Sequence, residues 1–287
     1  MSAIAVTLIN GRPGDQVSTR ERALHYGDGL FETISCRGGR PRWLALHLQR
    51  LRRGCGRLQL PFDDYEELAG EITQLAAWQP CCIVKVIVSR GPATRRGYAP
   101  DGTERPTRIV TRHEWPRDAH ETGLHVGVSA VRLGANALLA GLKHLNRLEQ
   151  VLAQLQRPAG IEEVLMLSGA QQVIGGSMSN VFFADAGGLF TPDLRDCGVE
   201  GVMRRVVLEA AAASRGAASV PGGALAGGLA LTVRPVAAAE LAGVREAFMT
   251  NVRWGVRSVA MLDGRALPGD DYARQLRRLI EDDDAGT

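Results

Sequence analysis

The chain has 287 residues, 45% of them hydrophobic and 23% charged, with a net charge of +3. That length suits two domains better than one core, and the composition is that of an ordinary globular protein. The basic residues are too scattered to form a nucleic-acid groove, and no stretch reaches the ~18 continuous apolar residues of a membrane helix.

In chain order, "AIAVTLING" and "GLFETISCRGG" read as strands closed by Gly turns, the first at an Asn-Gly pair. "RWLALHLQRLRRGCGRLQL" has helical spacing at Leu44, Leu48 and Leu51, and "PFDDYEELAGEITQLAAW" opens with the Pro and acids of a helix start. "CCIVKVIVSRG" and "RPTRIVTRHEWP" are further strands. Apolar periodicity then lapses in "WPRDAHETG", which sets a domain boundary between 1–118 and 119–287. The second part predicts a strand at "LHVGVSAVRL" and a helix at "HLNRLEQVLAQLQ" with Leu145, Leu148, Leu152 and Leu155 on one stripe. Strands follow at "EEVLMLSG", "VIGGSMSNVFFAD" and "GLFTP", then a helix at "GVMRRVVLEAAAAS", a loop at "AASVPGGALAGGLAL", a strand in "REAFMTNVRW" and a helix at "DDYARQLRRLIEDD". Two α+β domains result.

Five cysteines, an odd number without C-x-x-C spacing, argue against a disulfide framework or a metal site. With an N-terminus unlike a signal peptide, they point to the cytoplasm. The six histidines show no metal-ligand spacing.

Lys85 and Lys143 are the only lysines among 34 Lys and Arg residues. A desolvated lysine loses its proton and becomes a nucleophilic amine, which Arg cannot do. An ordinary solvated lysine fits the same residues, and spacing does not choose between Lys85 and Lys143. "DCGVEGVMRR" places Gly198 and Gly201 ahead of a helix, where free amides can take an anion. Arg50 is a candidate bidentate partner for a phosphate, and His47, three residues earlier on the same helix face, could orient it. Thr250 and Asn251 end an apolar strand, where small polar residues also simply make turns.

Taken in order, "YGDGLFET", "HLQRL", "SRGPATRRGY", "AGLKHLNRLEQV", "SNVFF", "TPDLRDCGVEGVMR" and "FMTN" resemble the fold-type IV pyridoxal-phosphate enzymes, from about Asn10 to Asn251. That family comprises branched-chain and D-amino-acid aminotransferases and the aminodeoxychorismate lyases, and "KHLNRLEQ" with the Arg-Gly-Tyr pattern is most like the lyases. The resemblance implies an α+β fold of two domains with pyridoxal 5'-phosphate between them, a small-molecule substrate, and a homodimer without nucleic-acid or membrane partners. It makes Lys143 the Schiff-base lysine and catalytic base. Arg50, Gly201, Val202, Thr250 and Asn251 become cofactor-phosphate contacts, and Arg96 a substrate-carboxylate contact. Phe31, Arg96 and Tyr98 stand where the D-amino-acid branch has Tyr, Arg and His, so only the Arg is kept. In "VIGGSMSNVFF", Gly175 stands where the family has a Glu against the pyridine nitrogen. That loss should harm transamination more than a pyruvate elimination that creates an aromatic ring, and it leaves room for an aminotransferase or for a cofactor-binding homologue of reduced activity.

Overall fold

A computed structural model describes residues 6–115, 123–214 and 229–285. The chain divides into two compact units, Met1–Asp118 with Leu142–Arg147, and Ala119–Gly141 with Leu148–Thr287. Residues 142–147, which a cut at 118/119 assigns to the second domain, therefore belong with the first.

The first unit contains β1 (Val6–Ile9), β2 (Arg12–Pro13), α1 (Arg22–Tyr26), β3 (Gly29–Arg37), β4 (Arg40–Pro41), α2 (Leu44–Arg57), α3 (Tyr65–Ala76), β5 (Cys81–Ser89) and β6 (Thr107–Glu114). Its six strands are ordered β2-β1-β6-β5-β3-β4, all antiparallel. Asn10 and Gly11 both take positive φ, 48° and 80°, the geometry of a two-residue hairpin turn. One sheet face carries Leu30, Ile34, Val84, Val86 and Val110, and it is covered by Leu51 and Cys55 of α2 and Leu68, Ile72 and Leu75 of α3. Alternation along the strands and three-to-four spacing along the helices bring these residues together.

The second unit contains β7 (Leu124–Leu133), α4 (Leu148–Leu155), β8 (Glu163–Ser168), β9 (Val173–Gly176), β10 (Asn180–Asp185), β11 (Gly188–Pro192), α5 (Val202–Ser214), β12 (Leu231–Arg234), β13 (Glu246–Asn251), β14 (Gly255–Leu262), β15 (Arg265–Ala266) and α6 (Asp271–Ala285). Its sheet runs β12-β11-β10-β13-β14-β7-β8-β9, with β15 on β14. The pairs β11/β12, β14/β7 and β7/β8 are parallel and the rest antiparallel. Every residue of β8 is buried, as expected of an inner strand covered on both faces. Phe182 and Phe248 stack at 4.9 Å in the register that pairs β10 with β13.

Two sequence expectations change. The helix expected from His144 begins only at Leu148, because Leu145 donates its N–H to Gly29 O at 3.0 Å and residues 143–145 extend along β3 instead. Leu148, Leu152 and Leu155 of its stripe are exposed in the chain. The single strand expected over 173–185 is two, β9 and β10, separated by a turn at 177–179. Most of the Ala/Gly-rich loop lies outside the described residues.

Candidate active site

Lys143 sits on an extended strap. Phe31 N–H donates to Lys143 O at 2.9 Å, and Leu30 bridges His144. The strap shares the free edge of β3 with β4, since β5 occupies the other edge along its whole length. Leu142 is fully buried in the core of the first unit and anchors the strap. The Lys143 Nζ lies 4.3 Å from the centre of the Phe31 ring. Burial strips the amine of water, and the Arg50 charge adds to this, while Glu32 pulls the other way. The balance holds Lys143 at about 7. At neutral pH this amine is readily both deprotonated and reprotonated. Lys85 is exposed on β5, 5.7 Å from the same ring.

Glu32 organises the cations around it. It lies on the helix-facing side of β3 with Leu30 and Ile34, 2% exposed. Arg50 Nε donates to its Oε1 at 2.7 Å, Arg50 Nη2 to its Oε2, and His47 Nδ1 lies 2.6 Å from Oε2. Burial opposes the carboxylate charge, but Arg50 and the His47 hydrogen bond outweigh it and hold Glu32 at about 2. An ionised carboxylate only accepts, so Nδ1 carries the proton. Burial keeps His47 below its usual range and neutral. His47 thus supports Arg50 indirectly, through their shared acceptor. Glu32 takes two N–H groups of Arg50 and fixes the direction of its guanidinium.

In the second unit, Asn180 on β10 pairs with Thr250 on β13. The Asn180 side chain accepts from Gly201 N–H at 3.1 Å and donates to Val199 O at 2.9 Å. A Cβ on residue 201 would come within 2.1 Å of Asn180 Oδ1, so glycine is required there by close approach. The Gly201 amide is thereby engaged. The next first-turn amides of α5, those of Val202 and Met203, have no carbonyl four residues back within the helix. Thr250 is 1% exposed, and its Oγ1 is buried without a hydrogen-bond partner. Amides at a helix start beside an orphaned buried hydroxyl fit a phosphate group. Asn251 acts differently, on the backbone. Its Oδ1 accepts from Arg253 N–H at 3.0 Å and Trp254 N–H at 2.8 Å, which closes the turn into β14.

Gly175 pairs with Met166 of β8. A Cβ at 175 would sit 2.9 Å from Ser179 O, so the backbone is built around glycine. Glu163, fully buried beside this turn, is occupied. It accepts from Ser177 N–H and Oγ–H, Met178 N–H, Ser179 Oγ–H and Val164 N–H.

Arg96 lies on the exposed segment after β5. Buried Arg22 grips the two carbonyls that follow it, Gly97 O at 3.4 Å and Tyr98 O at 2.6 Å, and is itself tied to Asp28 at 2.8 Å. Among the described residues, no cluster of His, Cys, Asp or Glu could hold a metal ion.

Sequence reasoning missed Glu32, Asn180 and the Met203 amide. Glu32 did leave a signal, a carboxylate on the same strand face as Leu30, Ile34 and Cys36. Asn180 stands in the "SNVFF" string, but its contact to Gly201, 21 residues on, is visible only in the fold.

The chain matches the family model described as amino-transferase class IV over residues 29–262. It is 36% identical over 208 residues to an aminodeoxychorismate lyase of Vibrio harveyi, covering 70% of this chain and 75% of that protein. It is similar to the crystal structure of 4-amino-4-deoxychorismate lyase from Pseudomonas aeruginosa, with a TM-score of 0.86 and 40% identity over 97% of this chain and 99% of that one. A branched-chain amino acid aminotransferase from T.th., complexed with N-(5'-phosphopyridoxyl)-L-glutamate, shares the fold at a TM-score of 0.82 and 24% identity over 100% of this chain and 96% of that one.

Proposed function

The chain belongs to the aminotransferase class IV family, and from that premise we propose that it is a pyridoxal-phosphate-dependent lyase converting 4-amino-4-deoxychorismate to 4-aminobenzoate and pyruvate. The observation that carries the reading is the Lys143 amine within "KHLNRLEQ", set 4.3 Å from the centre of the Phe31 ring, where burial and the Arg50 charge disfavour its protonated form. Pyridoxal phosphate, when bound, supplies a carbonyl for an amine and a ring that draws electrons from the carbon bearing it.

Lys143 would hold the cofactor through Nζ. In the second unit the Val202 and Met203 amides and the Thr250 hydroxyl would take a phosphate, and in the first unit Arg50 would serve as a phosphate-binding guanidinium. Gly201 would serve by leaving room for Asn180, and Asn251 by shaping the turn beside Thr250. Released by the substrate's amine, Lys143 would take the proton from the amine-bearing carbon and return one to the departing pyruvate. A base near neutrality suits both transfers. Arg96, placed by Arg22, would meet a substrate carboxylate. A homodimer in the cytoplasm completes the reading, and size-exclusion chromatography with light scattering checks the dimer.

The purified protein, loaded with cofactor and given 4-amino-4-deoxychorismate, is expected to release 4-aminobenzoate and pyruvate in equal amounts. Release of neither by an intact, loaded protein sinks the proposal. Glutamate formed from an amino acid and 2-oxoglutarate, without 4-aminobenzoate, would make it an aminotransferase instead.

Gly175→Glu should shift the absorbance maximum of the bound cofactor, because a carboxylate would then stand where the family has one. It should also cost about 1–3 kcal/mol in urea unfolding, since the new Cβ presses on Ser179 O. An unchanged spectrum would mean that residue 175 does not face the ring.

A further inference from the structure

We infer that Arg147 is a positioning residue for Lys143: its guanidinium grips the carbonyls on both sides of that lysine and fixes the direction in which the amine leaves the backbone. Arg147 Nε donates to His144 O at 2.8 Å, and Nη2 donates to Leu142 O at 3.1 Å. In an extended strap, successive carbonyls point to opposite edges. The Lys143 carbonyl turns toward β3, where Phe31 N–H meets it. The carbonyls of Leu142 and His144 turn the other way, toward an edge that no strand among the described residues pairs in this sheet. A buried or half-buried carbonyl needs a donor, and the Arg147 fork supplies two where a further strand would have supplied its amides. The lysine backbone is therefore pinned from both edges, and Nζ is left over the Phe31 ring.

The charge acts in the same direction. The Arg147 guanidinium adds to the burial that lowers Lys143 and, again after burial, helps hold His144 at about 4 and so neutral. A leucine at 147 would remove both fork and charge. A lysine would keep the charge but lose the planar fork that reaches two carbonyls at once. Those two variants separate geometry from electrostatics.

The inference rests on Lys143 being the working amine, as proposed above. Arg147→Lys and Arg147→Leu should be compared with the unaltered full chain by three measurements. These are steady-state kinetics of 4-aminobenzoate formation, visible circular dichroism per bound cofactor, and acetic anhydride labelling of Lys143 relative to Lys85 in cofactor-free protein across pH. Lys85, the chain's one other lysine, is a built-in reference, with labelling read residue by residue because Arg147→Lys adds a third amine. Both variants should lose about 10- to 100-fold in kcat with KM changed less than threefold, as expected for a small misplacement of a reacting group. Both should lose most of the visible dichroism, which reports how rigidly the amine holds the ring. The labelling midpoint of Lys143 should rise in Arg147→Leu and stay near the original in Arg147→Lys.

Full kcat and dichroism in Arg147→Lys would overturn positioning in favour of charge alone. A lowered melting temperature with kcat per bound cofactor, dichroism and labelling all unchanged would reduce Arg147 to a stabilising residue and overturn it equally. If the unaltered protein makes no 4-aminobenzoate, the functional reading fails by itself. Dichroism and labelling then decide the role of Arg147 independently.

Discussion

Lys143→Ala is expected to abolish the long-wavelength absorbance of lysine-bound cofactor and to lower 4-aminobenzoate formation by on the order of 10³-fold, whereas Lys85→Ala keeps the band. The two lysines flank one aromatic ring, with Nζ at 4.3 Å for Lys143 and 5.7 Å for Lys85. Their settings differ in hydration. Lys85 is exposed on a strand, where water stabilises the ammonium. Lys143 is strapped along β3, crowded by the Arg50 charge and desolvated, so its proton leaves near neutral pH. A nucleophile and proton carrier at pH 7 needs the second setting. Absorbance spectra of the two purified variants, taken with cofactor in excess and again after gel filtration, decide the matter. A band lost in Lys85→Ala and kept in Lys143→Ala would reverse the assignment.

Glu32→Gln should be the most destabilising of the single changes considered, costing about 3–5 kcal/mol, the range for breaking a buried ion pair by removing one partner. Arg50 and His47 share this carboxylate. An amide in its place turns an N–H toward a guanidinium and leaves that cation without its counter-charge. Acid should reveal the same interaction. The carboxylate is held at about 2 in the folded chain, against an ordinary 4.5. A depressed carboxylate stabilises the fold fully above its unfolded value, and this stabilisation is lost as pH falls from about 4.5 toward about 2. A shift of that size corresponds to ~3 kcal/mol. Urea midpoints measured from pH 6 down to pH 3 should fall more steeply for the unaltered protein than for Glu32→Gln. Parallel curves would show that Glu32 is not the group responsible. The variant should also retain cofactor less well, since Arg50 loses the group that aims it.

Much of this fold is legible in the sequence alone. The alternation of Leu30, Ile34 and Cys36 marks β3, and the spacing of Leu68, Ile72 and Leu75 marks α3. The scarcity of lysine draws attention to Lys143 before any contact is known. The failures have a common cause, which is competition from partners distant in sequence. Leu145 continues the helical stripe of α4, yet its amide goes to Gly29, so the four residues before Leu148 leave the helix, two of them as part of the strap. The 173–185 stretch has strand character throughout, but Glu163, fourteen residues before Ser177, collects the donors of the intervening turn and breaks it in two. β14 escapes a reading by pattern because Arg257 and Ser258 interrupt its apolar run, although Val256, Val259 and Leu262 are buried. At the helix start of α5, glycine spacing alone suggests that Gly201 offers its amide. Only the fold reveals that Asn180 already holds it.

The strap also bears on how the protein is made. The part of β3 from Gly29 to Phe31 has β5 on one edge, and its other edge is filled by residues 143–145. During synthesis that edge stays open while roughly a hundred further residues emerge, a long-range closure of the kind that slows folding. An N-terminal fragment ending at 118 would carry the six-stranded sheet with the edge bare, inviting other chains to pair there. The first unit is first in sequence but not self-sufficient. It closes with the arrival of the segment that carries Lys143, so a chain truncated before that residue is also one whose first sheet is left unfinished.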